Sequence, residues 1–399
     1  MVSKETKKQN VAYITSQIEH IIKTFGKRDP GSEGERAAQE YMRSELDKYT
    51  DSSVLEDFKI NPGSFFGWIP FTATCALLGL LSSFLVAWLP IVFIVLGLIP
   101  MLTQFILYKT TFDPLFAEKI SCNLMATKQP QGEVKRRIIF GGHADATWEW
   151  TINYKFGGVG FAIEFLVSLI GAIYLIFLGI YGAAKGGTSL TLSLIGLVFV
   201  PFWIGLYFFS NSKIVVDGAN DNLTACLTSI AIIKALNEDG IKLENTELCA
   251  FISGSEECGL RGAKAWAAAH KDDYNDVETI FIPLETLREV NHLSIYSRDL
   301  NGIVKTDPQV CKLLKIASAN AGFPNVNYAT VTVGSTDSAA LVQAGLKAAT
   351  LAAMDHNLQD YYHTRRDTYD NISEECLEAS LDICLAALEE FDKNGLPEA

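Results

Sequence analysis

The chain has 399 residues, enough for one large domain or two to three smaller ones, with 49% hydrophobic residues and a formal net charge of -13. That acidic balance excludes a broad nucleic-acid-binding surface. Its 8 cysteines form no Cys-x-x-Cys pair, so neither a thiolate zinc finger nor a dithiol redox motif is signalled.

Residues 6–25 and 33–48 have helical apolar spacing, and Ser32 three positions before Glu35 is a capping-box signal for the second helix. Residues 1–60 lack the continuous apolar core of a secretory signal, and 53–60 read as a strand. From Asn61 to Tyr108, 48 consecutive residues contain no Asp, Glu, Lys or Arg. That is too long for one membrane span of roughly 20 residues and fits two. The spacing predicts spans at 67–87 and 91–108, the second kinked or tilted by Pro100. Strands are expected at 121–127 and 136–140, then a second pair of spans at 159–181 and 189–209. Buried core helices are the alternative, but four runs of spanning length arranged as hairpins favour the bilayer. Glu164 is expected near the headgroups at the start of the third span, with a functional intramembrane carboxylate as the sharper alternative. Two hairpins leave both termini on one side. Lys59, Lys109, Lys119, Lys155 and Lys213 flank the spans there, against Lys185 opposite, and this bias predicts a cytoplasmic soluble domain.

Further strands are expected at 246–252, 277–282 and 348–354, and helices at 221–236, from about 260, and at 308–319, 337–343 and 373–391. Strands alternating with helices imply an α/β fold with a mixed, largely parallel central sheet flanked by helices, plus four inserted transmembrane helices. Residues 1–60, 110–157 and 211–399 are expected to fold as one discontinuous domain, with hairpins 67–108 and 159–209 inserted in its loops.

The polar groups that can perform chemistry fall just beyond strand ends, where such sheets hold ligands. In His143-Ala-Asp145 a carboxylate can fix the tautomer of a metal-binding imidazole, although a structural histidine explains the pair equally well. Asp221 precedes a helix in a Gly/Asn-rich loop, where it can hold two cations or simply cap the helix. Glu256-Glu257 point in different directions, so one can ligate metal while the other takes a proton from water. Glu285 lies in the apolar Phe281-Ile-Pro-Leu-Glu285, where an unpaired acid is costly. His363 lies in Tyr361-Tyr-His-Thr-Arg365. Of the other histidines, His20 and His270 read as helix-surface residues, and His292 and His356 as site neighbours. Trp148, Trp150 and Tyr361 are candidates for the cleft wall.

Together these segments resemble the M28 metallopeptidases, the family of secreted bacterial leucyl aminopeptidases and glutamate carboxypeptidase II. The resemblance covers both soluble pieces, beginning at Phe25-Gly-Lys-Arg28-Asp-Pro-Gly31-Ser32 and including Gly334-Ser-Thr-Asp337 and Tyr362-His-Thr-Arg-Arg-Asp367-Thr368. It implies one zinc on His143, Asp221 and Glu285 and a second on Asp221, Glu257 and His363, with Mn2+ or Co2+ as substitutes. It further implies that Asp145 orients His143 and that Glu256 is the general base. Three departures stand out. Glu285 replaces a common Asp, Thr224-Ala225 replaces Ser-Gly, and a membrane insertion separates Asp145 from Asp221.

The resemblance implies an aminopeptidase acting on short peptides. A carboxypeptidase or dipeptidase is the nearest rival and would use Arg261 or Arg365-Arg366 for the substrate carboxylate. An aminoacylase or glutaminyl cyclase ranks lower, and a catalytically silent membrane receptor or scaffold is the rival from another class. One span suffices for tethering, so the others are available for homodimerisation, a membrane partner, or substrate access from the bilayer.

Overall fold

The computed structural model describes residues 2–398. Serine side chains start the first two helices. Ser3 Oγ accepts from the Thr6 N–H at the head of α1 (Lys4–Phe25), and Ser32 Oγ accepts from the Glu35 N–H at the head of α2 (Glu33–Leu46). The Glu35 carboxylate does not turn back on its own cap. It accepts from Gly31 N (2.7 Å), just ahead of the cap, and from Ser121 Oγ (3.0 Å), Ser255 N (2.6 Å) and Ser255 Oγ (2.9 Å), tying α2 to the strand Lys119–Lys128 and to the loop after Ser253.

β1 (Ser52–Ile60) leads into α3 (Gly63–Ser82) and α4 (Leu89–Pro100), which continues beyond Pro100 as a π-helical turn, Met101–Ile106. Next come β2 (Lys119–Lys128), β3 (Arg136–His143), β4 (Trp148–Trp150), α5 (Thr151–Lys185), a fourth apolar helix (Leu190–Phe208) and β5 (Ser210–Val215). The remaining strands are β6 (Thr246–Ser253), β7 (Glu278–Leu287), β8 (Leu293–Asp299), β9 (Val304–Lys305), β10 (Asn327–Thr330) and β11 (Thr350–Ala353). They form a mixed, largely parallel sheet in the order β1-β2-β6-β3-β7-β11-β8-β10, with β9 on β8. The central strands β6, β3, β7 and β11 are mutually parallel.

Successive side chains on a strand face opposite ways, so a sheet covered on both faces reads as an unbroken apolar run. Leu248, Ala250 and Ile252 of β6 join the core beneath α1 and the helices Thr224–Glu238 and Glu374–Asn394. Cys249 and Phe251 point the other way, toward Trp266 and Leu341. Each fully buried Ile, Leu or Phe in these layers contributes roughly 1.5–3 kcal/mol.

Four helices are long and apolar enough to cross a bilayer, Gly63–Ser82, Leu89–Ile106, Thr151–Lys185 and Leu190–Phe208, which makes this a multi-pass membrane protein. Two begin earlier than their apolar runs suggest. α3 starts at Gly63, and α5 starts at Thr151 and bends at Gly157, where φ is +66°. The reason is tertiary: the roots of both hairpins are clamped by the sheet domain, so the helices form before they leave it. Ile60 pairs with Lys119, Asn61 Nδ2 donates to Phe116 O (2.8 Å), and Ser64 Oγ donates to Asp113 (2.7 Å) at the first root. The β4–β5 ladder, Trp148 to Val215 and Trp150 to Ser210, closes the second. Between the helices small residues permit close approach: Thr72 Oγ1 donates to Gly97 O (2.7 Å), and Gly171 lies under Trp203. Glu164 packs against Gly205 of the fourth helix.

Candidate metal centre

The parallel strands deliver the polar groups to one edge of the sheet. His143 ends β3 in register with Ser253 at the end of β6, and Glu285 of β7 is opposite Ala352 of β11. Sequence spacing places Glu285 after its strand, whereas β7 runs on to Leu287, because pairing with β11 extends it. Gly142 allows the helix Thr224–Glu238 to lie directly on β3. A Cβ there would stand 2.5 Å from Ala225 Cβ. That contact sets Asp221, just before the helix, beside His143. The membrane insertion between Asp145 and Asp221 does not pull their loops apart. Buried Arg28 spans them, donating from Nε to Ala144 O (2.9 Å) and from Nη2 to Asp217 O (2.7 Å) and Gly218 O (3.1 Å).

Asp221 sits between two imidazoles. Its Oδ1 is 3.1 Å from His143 Nε2 and its Oδ2 is 2.9 Å from His363 Nε2. Glu257 Oε1 approaches His363 Nε2 at 3.2 Å, and Glu256 Oε2 lies 3.9 Å from His143 Nε2. Two groups of donor atoms result, His143–Asp221–Glu285 and Asp221–Glu257–His363, each with its atoms within 4.8 Å of one another and sharing Asp221. Asp145 lies beneath. Its carboxylate is 3.3 Å from His143 Nδ1 and accepts the N–H groups of both Glu256 and Glu257 at 3.0 Å. Asp367 performs the same service for the bridging loop, accepting from Asn220 N (2.9 Å), Asn220 Nδ2 (2.7 Å) and Asp221 N (3.1 Å).

The charges of the cluster suit cations. Burial, then the Asp221 charge, lifts the Glu285 carboxyl well above the usual carboxylate range. Burial likewise lifts Glu256, with His143 pulling the other way. Burial opposes a charged His363, but Glu257 and Asp221 outweigh it and push the imidazole up to about 10. Burial also works to raise Asp221, yet the two histidines hold it below its ordinary value. Without cations the raised Glu256 and Glu285 carboxyls keep their protons, and a pair of dications would let all four acids ionise together. Glu257 Oε1 is buried with His363 Nε2 (3.2 Å) as its polar neighbour and no hydrogen bond of good geometry, as a carboxylate oxygen reserved for a cation would be. Imidazole and carboxylate donors with an open side suit a binuclear zinc site.

The seven residues singled out for chemistry, His143, Asp145, Asp221, Glu256, Glu257, Glu285 and His363, therefore converge on one locus. The expected neighbours divide. Trp150 and His356 line the cavity above it, whereas His292 is exposed beside Asp355 (3.8 Å). Trp148 packs behind the wall residue Phe66 (6.3 Å) and Tyr361 donates to Glu289 (2.9 Å), and neither lines the cavity itself. Arg261 is buried on Asp113 (3.0 Å), and Arg365 is paired with Glu149 (2.8 Å). Sequence spacing gave no role to Tyr362, whose ring stacks on that of His363 with centroids 3.9 Å apart. Neighbours in sequence stack this way only when the loop turns sharply, and His363 has a φ of +55°.

Fold and donor set define a metal-dependent peptidase domain. Residues 207–388, a little under half of the chain, match the family model Peptidase family M28. Among solved structures it resembles an aminopeptidase from Aneurinibacillus sp. strain AM-1, at 15% identity, 98% of this chain, 94% of that chain and a TM-score of 0.57. A zinc aminopeptidase from Bacillus subtilis matches at 13% identity, covering 95% of each chain with a TM-score of 0.58. An Acidobacteriales bacterium glutaminyl cyclase matches at 14% identity, 97% of this chain, 96% of that chain and a TM-score of 0.56. At these identities the likeness is one of fold. No curated protein matches the sequence.

Proposed function

We propose that the protein is a membrane-anchored dinuclear zinc aminopeptidase that removes N-terminal residues from short peptides. The observation that carries this reading is the charge of the cavity wall. Apart from the proposed ligands and base, Asp355 reaches it, and no Lys or Arg does among the described residues. A free substrate amine is matched there, whereas a free carboxylate meets no cation. Of the arginines that a carboxypeptidase would need, Arg261 is spent on Asp113 and Arg365 on Glu149, and Arg366 faces Asp360 (3.6 Å) off the cavity wall.

In this reading His143, Asp221 and Glu285 hold one zinc, and Asp221, Glu257 and His363 the other. The pair, when bound, polarises the scissile carbonyl and acidifies the attacking water. Glu256 accepts the proton of that water and passes it to the leaving amine. Burial raises its affinity for a proton, and bound cations would oppose that rise. Asp145 fixes the His143 tautomer and, through two backbone N–H groups, the direction in which Glu256 points. Residues 1–60, 110–157 and 211–399 act as one discontinuous domain carrying hairpins 67–108 and 159–209, and the lysine bias at the span ends assigns this domain to the cytoplasmic side.

The test is hydrolysis of matched peptides with free or blocked N- and C-termini by detergent-purified protein, stripped of metal and reloaded with zinc. Zinc-restored cleavage that depends on a free N-terminus is expected. Dependence on a free C-terminus would overturn the reading in favour of a carboxypeptidase, and absence of both cleavage and metal binding would favour a silent receptor.

A further inference from the structure

The cavity above the metal-ligand cluster has a volume of about 820 Å³ and does not end at the sheet domain. Such a volume lies toward the upper end of the roughly 300–1,000 Å³ of small-ligand sites. One end holds Asp221, Glu256, Glu257 and Glu285. The other is walled by membrane helices, with Phe66 and Trp68 from α3, Phe105 from the turn after α4, and Phe161 and Phe165 from α5. The wall is continuous. His363 meets Trp150 edge to face at 4.4 Å, Trp150 stacks on Phe161 at 5.1 Å, and Phe161 contacts Phe165 at 4.7 Å and Phe209 at 5.8 Å. Phe66 continues it 5.9 Å from Phe209.

Two wall residues also belong to the outside of the spans. Val159 lines the cavity yet is 76% exposed, and Ala162, one turn on, lines it and is exposed as well. Both lie in the apolar part of α5, just beyond the bend at Gly157. Between Lys155 and Glu164 the spanning helix enters the apolar layer, so the opening beside Val159 and Ala162 gives onto the bilayer at its headgroup boundary. The cavity is also open beside Thr332, Val333, His356 and Asn357 of the sheet domain, so the gallery adds an apolar route to the one from water.

We propose that the substrate is a membrane-resident amphiphile, an aminoacyl amide borne at the polar end of a long apolar group. The apolar group enters laterally past Val159 and Ala162 and lies along Phe161, Phe165, Phe209 and Phe66, which leaves the amide at the cluster of carboxylates and histidines. Transfer from lipid to an aromatic-lined cavity exchanges one apolar environment for another, so the gallery acts chiefly by orientation and by restricting which amides reach the site. The apolar group is a hydrocarbon chain or a run of apolar side chains, which present the same chemistry to this wall. The inference rests on the aminopeptidase reading and narrows its substrate class.

The test uses the full chain, zinc-loaded and reconstituted in phosphatidylcholine vesicles. Leucine butylamide, leucine dodecylamide and a leucine-initiated apolar hexapeptide amide are compared, and a dodecylamide carrying a terminal diazirine reports binding by photolabelling. Bilayer partitioning is common to wild type and variants, so the ratio of long- to short-chain kcat/KM isolates the gallery. Ala162→Trp is expected to lower that ratio at least tenfold. Ile163→Trp, on a neighbouring lipid-facing position that is 51% exposed and off the wall, is expected to leave it within twofold. The label is expected on α5 and α3 wall residues, and preference between dodecylamide and hexapeptide identifies the source of the apolar group. An unchanged ratio in Ala162→Trp, with butylamide cleaved normally, would overturn the inference and spare the aminopeptidase reading. Wall labelling without turnover of any substrate would overturn that reading and retain the apolar-ligand gallery. Label confined to lipid-facing residues off the wall would overturn the gallery whatever the turnover.

Discussion

The backbone N–H of Trp150 donates to the carbonyl of His363 at 2.8 Å, while its indole meets the His363 ring edge to face at 4.4 Å. Trp150 is also the last residue before α5 and pairs with Ser210 at the root of the second hairpin. One residue thus joins a candidate zinc ligand to a membrane span. Its backbone bond survives substitution, so the side chain can be tested alone. Trp150→Ala is expected to weaken zinc retention or kcat/KM about 10–100-fold, the usual consequence of losing a group that orients a ligand. Trp150→Phe should recover most of it. Zinc transfer to a chelator and peptide hydrolysis, measured side by side, would contradict this coupling if Trp150→Ala matched the wild type in both.

Asp145 serves three groups at once, His143 Nδ1 and the N–H groups of Glu256 and Glu257. Asp145→Asn replaces one acceptor oxygen with a donor that faces either an N–H or the imidazole. A buried donor left unmatched costs about 1–3 kcal/mol, so the melting temperature should fall along with activity. A variant with normal kcat/KM and an unchanged melting temperature would remove Asp145 from the positioning role.

Glu256 and Asp221 should separate cleanly in metal analysis. Glu256→Gln removes the proposed base but no member of either donor group, so two zinc ions per chain should remain while kcat drops by about 10²–10⁴-fold. Asp221→Asn alters the shared donor and should lower zinc content at both sites. Elemental analysis of the purified variants decides the matter, and loss of both metals from Glu256→Gln would make it a ligand instead.

Lys264 supplies a pH-dependent stability term away from the cluster. Its Nζ donates to Tyr108 O (2.5 Å) and Gly259 O (2.8 Å), and burial, followed by the charge of Arg261, lowers it from 10.5 to about 7. Between those values the unfolded chain binds a proton that the folded chain does not, so this term favours folding increasingly as pH rises and is lost as pH falls through about 7. Lys264→Met abolishes the term. The melting temperature of the variant, relative to wild type, should therefore be higher at pH 6.5 than at pH 9, a difference of about 2 kcal/mol in stability. Parallel pH profiles for the two proteins would refute the assignment.

Much of the centre was legible because metal chemistry leaves a fixed order of donors behind strand ends. His143 and Glu257 could be found as polar residues just past apolar strands, whereas Asp221, Glu285 and His363 were legible through the resemblance of their segments to the M28 metallopeptidases. The strand Leu293–Asp299 and the four-residue Asn327–Thr330 were not legible. The latter is an exposed edge held by parallel pairing with β8 instead of by its own propensity. Arg261 and Arg365 looked free for a substrate carboxylate. Charge alone could not reveal that Asp113 and Glu149, distant in sequence, neutralise them.

The sequence by itself determined the layers, the spans and the types of donor, because burial periodicity, span length and ligand chemistry are all local properties of the chain. Only the tertiary structure decided that Asp221 presents one oxygen to each histidine, that Asp145 and Asp367 hold the loops from below, and that membrane helices wall the cavity. Those relations depend on close approach. Gly142 lets a helix settle on β3, Arg28 spans two loops, and two strand pairings clamp the hairpins against the site. Such contacts join residues separated by tens to hundreds of positions, and no local pattern encodes their distance.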